Sequence, residues 1–191
     1  MTITIHGFAP STFVQTACLV ATEKALDYRL APLEFKAASH LALLPFGRMP
    51  VLEHDGFCLF ETAAIAIYLD GVAGTPALQP ADPAERARMW QTISAALHYG
   101  YPALVADTLG DAGIDGADAE KVTVFLDYLD GEAHSMTGAQ PTIADFYVFP
   151  MVRHHAGLAG RDALLAGRGS LERWFETMSV RTSPQALRKE A

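Results

Sequence analysis

The sequence predicts an α/β domain at the N-terminus and an all-α domain at the C-terminus. Strand and helix signals alternate over the first part of the chain, whereas apolar residues recur only at helical spacing over the second part. Between the two parts, glycine and proline cluster in a stretch that suits neither a helix nor a strand: Gly71, Gly74, Pro76, Pro80 and Pro83. We therefore predict domains over residues 1–72 and 83–191, joined by a linker over residues 73–82.

The N-terminal domain is predicted to begin with a strand, a helix and a second strand. The β-branched residues of 2–6 favour a strand, which Gly7 and Pro10 end before helical spacing over 11–26. A second strand fits residues 28–35. Because a right-handed crossover through a helix joins parallel strands, these two strands should be parallel.

A hairpin and a further helix complete this domain. Over residues 49–60, two apolar stretches flank Asp55 and Gly56, a dipeptide suited to the positive backbone angles of a tight turn. Residues 61–69 return to helical spacing. The predicted order is strand, helix, strand, hairpin, helix, which gives a small mixed sheet with helices packed against it.

The C-terminal domain shows helical spacing without strand signals. Three helical stretches carry the apolar residues of 90–97, 122–129 and 171–178. A fourth stretch, 143–152, is apolar on nearly every side, which predicts a helix buried among the others. At its start, Thr142 and Asp145 match the S/T-x-x-D/E pattern of a helix cap.

Composition limits the classes of function. With 191 residues, half of them hydrophobic, the chain can bury a real core. The net charge of −8 argues against a general nucleic-acid surface. Cys18 and Cys58 lie outside any C-x-x-C arrangement and fit core packing in a reducing compartment. The adjacent His154 and His155 would point about 100° apart on a helix, so we expect no metal site.

The sequence also bears on location. No apolar run is long enough to cross a bilayer, and the first residues lack the charged and apolar regions of a signal peptide. We therefore expect a soluble cytoplasmic protein that binds neither membranes nor nucleic acid.

Two motifs together resemble the glutathione S-transferase superfamily. The segment 45–69, PFGRMPVLEHDGFCLFETAAIAIYL, is similar to the glutathione-site signature of that family, and TIAD at 142–145 is similar to the capping motif of its helical domain. The match runs over nearly the whole chain and is nearest to the serine-type, phi-like bacterial members. The resemblance implies a thioredoxin-like fold for the N-terminal domain, glutathione as co-substrate and a homodimer, with Phe46 and Leu59 near the subunit interface.

The resemblance implies that four residues bind the body of glutathione. A cis bond between Met49 and Pro50 would turn the Met49 backbone outward to pair with the cysteinyl backbone of the ligand; the alternative is a trans proline at a strand start. At the next helix, the Glu61 carboxylate would take the γ-glutamyl amine, while amides and the Thr62 hydroxyl face its carboxylate. The alternative for this pair is a simple helix cap.

The contacts to the glycine end of glutathione are less defined by sequence. The segment from Phe35 to Leu44 is short compared with serine-type relatives, and either Lys36 or His40 could reach the glycine carboxylate. The alternatives are a solvated loop lysine and a surface histidine.

Ser11 occupies the position at which serine-type members carry the hydroxyl that hydrogen-bonds the glutathione sulfur. An ordinary thiol has a pKa of about 8.5, so only a few per cent is ionised at neutral pH. One hydrogen bond to a charged group is worth about 1.5 to 3 kcal/mol, which lowers that pKa by roughly one to two units. Thr12 is the rival for this contact, and the alternative for Ser11 is a plain helix N-cap.

A second substrate would lie in the groove between the two halves. Gly100 and Pro102 should kink or end a helix and expose aromatic edges there. The candidate contacts are Phe8, His98, Tyr99 and Tyr101. The alternative is that these rings pack against other helices or a dimer partner.

These expectations combine into one functional hypothesis. The chain is expected to be a glutathione transferase that adds the glutathione thiolate to an apolar electrophile, as in detoxification. Two alternatives remain open: a glutathione-dependent dehalogenase, isomerase or ether-cleaving enzyme, and a non-catalytic protein of the same fold that binds ligands or scaffolds partners.

Overall fold

The structure is a computed structural model that describes residues 2–136 and 140–182. These residues form two compact units: the first consists of residues 2–77 together with Thr182, and the second spans Leu78–Arg181. The division falls within the predicted linker, while the exact domain bounds stay a prediction; Met1 and residues 183–191 of those bounds lie outside the described residues. Among the described helices, none is both long and apolar enough to cross a membrane.

The first unit is a four-stranded mixed sheet with three helices. In chain order its elements are β1 (Ile3–His6), α1 (Thr12–Glu23), β2 (Tyr28–Ala31), α2 (Ala38–Leu43), β3 (Val51–His54), β4 (Phe57–Phe60) and α3 (Thr62–Ala73). The strand order is β2-β1-β3-β4. β1 pairs with β2 in parallel, and the other two pairs are antiparallel. The predicted mixed sheet, its parallel pair and its hairpin are confirmed.

Two details of this unit differ from the prediction. The second strand ends at Ala31 rather than at residue 35, because Pro32 has no backbone N–H to continue the ladder. The six-residue helix α2 was not predicted, because one and a half turns are too few for apolar spacing to reveal a helix. The resulting order is βαβαββα.

A buried ion pair joins α1 and α3, which pack against each other. The Lys24 ammonium is fully buried at the end of α1 and donates to the Asp70 carboxylate in α3 at 2.9 Å. It also donates to the carbonyls of Gly74, at 2.8 Å, and Pro76. Three acceptors therefore match the three protons of the ammonium, which is what burial of a charge requires.

The described residues of the second unit form helices joined by short connections, without a strand. Its α-helices are α4 (Pro83–Ala95), α5 (Tyr101–Leu104), α6 (Ala119–Met136), α7 (Ile143–Ala159), α8 (Arg161–Leu165) and α9 (Gly169–Arg181). A π-helical turn over Ala96–Gly100 connects α4 to α5, and two 3₁₀ segments, Ala106–Thr108 and Gly110–Gly116, follow. The predicted all-helical C-terminal domain is confirmed.

The predicted break at Gly100 and Pro102 is a widened turn rather than a helix end. The Tyr101 amide donates to the Ala96 carbonyl, five residues back, which is the hydrogen bond of a π-turn. Pro102 lacks the N–H that an α-helix would use at the next step. Gly100 is also required by packing, because a Cβ there would lie 2.4 Å from the Phe125 ring of α6.

The helix α7 confirms both predictions made for it. All residues from Ile143 to Val152 are buried. At its start a capping box forms, in which the Thr142 amide donates to the Asp145 carboxylate at 2.7 Å. The Trp174 indole of α9 donates to the same carboxylate at 2.8 Å. Burial raises the pKa of Asp145 to about 6, although these hydrogen bonds oppose the shift.

Candidate functional site

The register of the sheet brings four chain segments to one of its ends. His6, the last residue of β1, pairs with Ala31, the last residue of β2. On its other side His6 pairs with Val51, the first residue of β3, which in turn pairs with Phe60, the last residue of β4. Adjacent strands lie about 4.8 Å apart, so these four residues form a row at one end of the sheet.

Each chain segment that enters or leaves the sheet at this end contains a predicted site residue. Ser11 follows β1 after a short loop, and Lys36 follows β2 in the same way. Met49 lies two residues before the first residue of β3, and Glu61 follows β4 directly. Residues far apart in sequence are thus gathered at the point where α1 and α3 begin.

At the start of α1, Ser11 offers a hydroxyl that is still able to donate. Its Oγ accepts the Val14 amide at 3.5 Å, a long and therefore weak capping bond. The side chain is half-buried. The cap uses a lone pair of the oxygen, and no acceptor for its proton is found among the described residues. Capping and donation to a ligand are therefore compatible.

The neighbouring Thr12 hydroxyl is enclosed by the protein. The residue is only 4% exposed, and its Oγ1 is buried without a hydrogen-bond partner in the described part of the chain. A ligand sulfur cannot reach this atom without movement of the surrounding side chains. Of the two residues, Ser11 is therefore the more accessible.

At the start of α3, the backbone is strained and the helix amides lack a side-chain cap. Glu61 is the N-cap residue with φ of 70° and ψ of 116°, a region that a residue with a Cβ rarely adopts. Its side chain is exposed and makes no capping bond, while the Thr62 side chain is buried. The positive end of a 12-residue helix is thus open to an anion, with a carboxylate beside it.

The peptide bond between Met49 and Pro50 is cis, as the family resemblance implies, and the alternative of a trans proline is wrong. Pro50 is buried and Met49 is half-buried. The residue before them, Arg48, is held through its carbonyl, which accepts the His40 Nε2–H at 2.7 Å.

His40 is a buried structural residue, so the alternative of a surface histidine is wrong. It is 2% exposed, because its ring packs behind Phe35. Besides the bond to Arg48, its Nδ1 accepts the Lys36 amide at 2.9 Å. With both ring nitrogens engaged, His40 fixes the loop and leaves no nitrogen to bind a ligand. Sequence spacing could not reveal this, since the partners are backbone groups.

Exposed aromatic rings lie beside this end of the sheet. Phe8 and Phe35 are 39% and 46% exposed, and their ring centres lie 6.2 Å apart. The Phe8 carbonyl accepts the Ser11 amide at 3.0 Å, which ties this ring to the loop before α1. The Lys36 ammonium lies 5.5 Å from the centre of the Phe35 ring, within cation–π range. Sequence reasoning did not select Phe35.

The helical unit contains a cavity of about 840 Å³. His98 and Tyr99 line it, and Tyr99 is 69% exposed. Its other side belongs to α6, where Val124, Phe125 and Tyr128 form apolar and aromatic walls that sequence reasoning missed. Tyr101 is half-buried and does not line this cavity.

A metal centre is not supported by the described residues. No group of three or more His, Cys, Asp and Glu side chains that could hold a metal ion occurs among them. Both adjacent histidines form hydrogen bonds within the helical unit: His154 with the Thr108 hydroxyl and His155 with the Leu104 carbonyl.

Comparison with known proteins identifies relatives over nearly the full length. Residues 1–71 match the model of the glutathione S-transferase N-terminal domain. Glutathione S-transferase F13 from Arabidopsis thaliana is 27% identical, over 95% of this chain and 92% of the relative. Glutathione S-transferase 3 from Zea mays is also 27% identical, over 95% and 90%. The crystal structure of glutathione transferase F2 from Populus trichocarpa has the same fold, with a TM-score of 0.79 at 20% identity over 97% of this chain and 96% of that one.

Proposed function

The chain belongs to the glutathione S-transferase superfamily, and on this premise we propose that it conjugates glutathione, as a thiolate, to an apolar electrophile. One observation supports the proposal: the sheet register brings Ser11, Met49 and Glu61 to the end of the sheet at which α1 and α3 begin. Each of these residues matches a different chemical part of glutathione.

The proposal assigns the γ-glutamyl end of glutathione to α3. Its carboxylate meets the uncapped amides at the helix start, and its amine meets the exposed Glu61 carboxylate. Strained backbone is retained where function demands it, and Glu61 is the residue at which strain and an open helix end coincide. Thr62 adds a hydroxyl at the same position, although its burial requires that the ligand approach closely.

The other proposed contacts to glutathione come from the loops at the same end of the sheet. The Met49 amide and carbonyl pair with the cysteinyl residue of glutathione in the manner of an added strand. The glycine carboxylate is assigned to the exposed Lys36 ammonium. His40 is a positioning residue, because it links the Lys36 amide to the Arg48 carbonyl and so joins the two loops that flank the ligand.

Ser11 is proposed to stabilise the thiolate. Its free O–H donates to the sulfur, and a charge-assisted bond of about 1.5 to 3 kcal/mol lowers the pKa of the thiol by roughly one to two units. The start of α1 adds to this effect through its positive end. The thiolate then becomes the main form near neutral pH, and attack on the electrophile follows.

For the electrophile, each unit is considered by itself, and the N-terminal unit offers Phe8. Phe8 is exposed and tied to Ser11 through the backbone. In the helical unit, His98 and Tyr99 line a cavity whose volume suits a drug-sized apolar molecule. Tyr101 has weaker support, since it lies outside that lining.

The test is a pair of single-hydroxyl deletions. Ser11→Ala should lower the conjugation rate with an activated chloroarene at least ten-fold, while glutathione affinity measured by calorimetry stays nearly unchanged. Its pH–rate profile should move upward by roughly one to two units, as the thiol loses the bond. Thr12→Val is the matched control and should leave the rate unchanged.

The outcomes separate the competing hypotheses. If Thr12→Val removes activity while Ser11→Ala does not, the sulfur contact belongs to Thr12. If the native chain binds glutathione but turns over no common electrophile, the non-catalytic alternative holds instead.

We also propose that the protein is a cytoplasmic homodimer. Phe46 and Phe57 are 69% and 47% exposed, and the Phe46 ring lies 6.0 Å from the ring of Phe60 on the edge strand β4. Leu59, the other residue expected near the interface, is half-buried. An exposed apolar surface of this kind fits a self-complementary contact with a second copy. A monomer mass in light scattering at micromolar concentration would refute the dimer.

A further inference from the structure

The loop that carries Ser11 is short and mostly exposed. It begins after β1 with the buried Gly7, and the next three residues are exposed to solvent: Phe8, Ala9 and Pro10. The Ser11 amide donates to the Phe8 carbonyl at 3.0 Å, so the last four residues of the loop form a turn. The position of the Ser11 hydroxyl therefore depends on how firmly this turn is held.

The sequence of the turn gives it little stability of its own. Its third residue is Pro10, and proline restricts the backbone of the residue before it. Proline is therefore disfavoured at this position of the commonest type of turn. The capping bond of Ser11 is also weak, because its Oγ accepts the Val14 amide at 3.5 Å. The turn is thus stabilised by contacts with groups outside it.

Gln15, the fourth residue of α1, supplies two such contacts. Its side-chain Nε2 donates to the Ala9 carbonyl at 2.9 Å. Its backbone amide donates to the Ser11 carbonyl, also at 2.9 Å. The two hydrogen bonds reach the chain on either side of Pro10, so they join the turn to the first turn of the helix. Gln15 is half-buried, which limits the freedom of its side chain.

We propose that Gln15 is a positioning residue for Ser11: its side-chain bond to the Ala9 carbonyl holds the Ser11 hydroxyl where it donates to the glutathione sulfur. The inference rests on the proposed function, because it requires that Ser11 stabilise the thiolate. Ala9 is exposed, so water can replace the donor to its carbonyl when the glutamine is removed. The expected loss of rate is therefore about three- to ten-fold, smaller than the loss expected for removal of the Ser11 hydroxyl itself.

The test removes the side-chain donor and keeps the length of the side chain. Methionine is close to glutamine in size and helix propensity but has no N–H to donate. Gln15→Met should lower kcat about three- to ten-fold, while the KM for glutathione changes less than about two-fold. Its pH–rate profile should move upward by about half a unit to one unit, because the thiolate is stabilised less.

Thr16→Val is the matched control for this variant. The Thr16 hydroxyl, in the same helix, donates to the Thr12 carbonyl at 3.1 Å and not to the turn. Its removal should leave the pH–rate profile unchanged.

A double-mutant cycle separates positioning from a general structural role. If Gln15 acts through the Ser11 hydroxyl, Gln15→Met should have no further effect on the rate of the Ser11→Ala variant. An equal loss in that background would overturn the proposal, as would a native rate and pH profile for Gln15→Met. If Ser11→Ala itself keeps the native rate, the proposed function fails and this inference fails with it. If only Ser11→Ala lowers the rate, this inference alone fails.

Amide hydrogen exchange gives a second readout that does not depend on catalysis. The Ser11 amide closes the turn through its bond to the Phe8 carbonyl. In Gln15→Met this amide should exchange about three-fold faster or more than in the native chain, because the turn opens more often. An unchanged exchange rate would also overturn the proposal.

Discussion

Replacing Gly100 by alanine adds one methyl group at a place where the chain has no room for it. Gly100 is buried in the π-helical turn, and its φ of −69° is open to any residue. A Cβ there would lie 2.4 Å from Cζ and 2.5 Å from Cε1 of Phe125. The preferred carbon separation is about 3.5 to 4.0 Å, so the contact is short by roughly 1 Å or more.

The expected magnitude is a balance of two opposing effects. Overpacking of a core costs about 1 to 3 kcal/mol, and alanine in place of glycine in a helix returns roughly 0.5 to 1 kcal/mol. Phe125 is 3% exposed and packs beside Tyr128, with ring centres 6.1 Å apart, so its ring cannot rotate freely. We expect a net destabilisation of about 1 to 2 kcal/mol for Gly100→Ala.

Gly131→Ala is the matched control for this prediction. Gly131 lies inside α6, and a Cβ there would meet nothing within 4 Å. The same substitution should therefore stabilise the protein by about 0.4 to 1 kcal/mol. The two variants are compared by urea unfolding, monitored by circular dichroism. The midpoint of the transition reports stability, provided that the m-value, the slope of the unfolding free energy against urea concentration, does not change.

A rescue experiment identifies the cause of the Gly100 effect. In a Phe125→Leu background the ring atoms are absent, so Gly100→Ala should become neutral or stabilising relative to that background. If Gly100→Ala is as stable as the native chain, the close approach of Phe125 does not constrain this helix. If Phe125→Leu fails to rescue it, the cost has another origin. Either result would refute the reasoning.

Three further predictions concern buried and reactive groups. Because burial raises the pKa of Asp145 to about 6 from an ordinary 3.8, the folded state binds an extra proton between about pH 4 and pH 6. The free energy of unfolding should therefore fall as pH rises through this window, and Asp145→Asn should flatten that slope in urea titrations at successive pH values. Lys24→Met should destabilise the protein by about 3 to 5 kcal/mol, because it removes the ammonium from the buried Asp70, and adding Asp70→Leu should recover much of that loss in urea unfolding. Burial raises the pKa of Cys18 to about 12, whereas Cys58 is exposed, so iodoacetamide should modify Cys58 alone in the native chain and both cysteines only after unfolding, as read by mass spectrometry.

Sequence reasoning located the starts of the key elements better than their ends or their partners. Ser11 and Glu61 were placed at helix starts because turn residues and apolar spacing mark such points locally. The capping box of Thr142 and Asp145 was predicted for the same reason, since its hydrogen bonds span three residues. The strain at Glu61 was not predicted, because a backbone angle depends on how the hairpin meets the helix.

The amino-acid sequence by itself determined the order of elements, the change from mixed to purely helical spacing and the family resemblance. These features depend on residues near one another in the chain or on whole motifs. The tertiary structure alone decided which groups meet: it buried His40 between two loops, paired Lys24 with Asp70 across 46 positions, and brought His155 to the Leu104 carbonyl. Such partnerships depend on long-range contacts with backbone carbonyls and apolar walls, which carry no signal at the position of the residue itself.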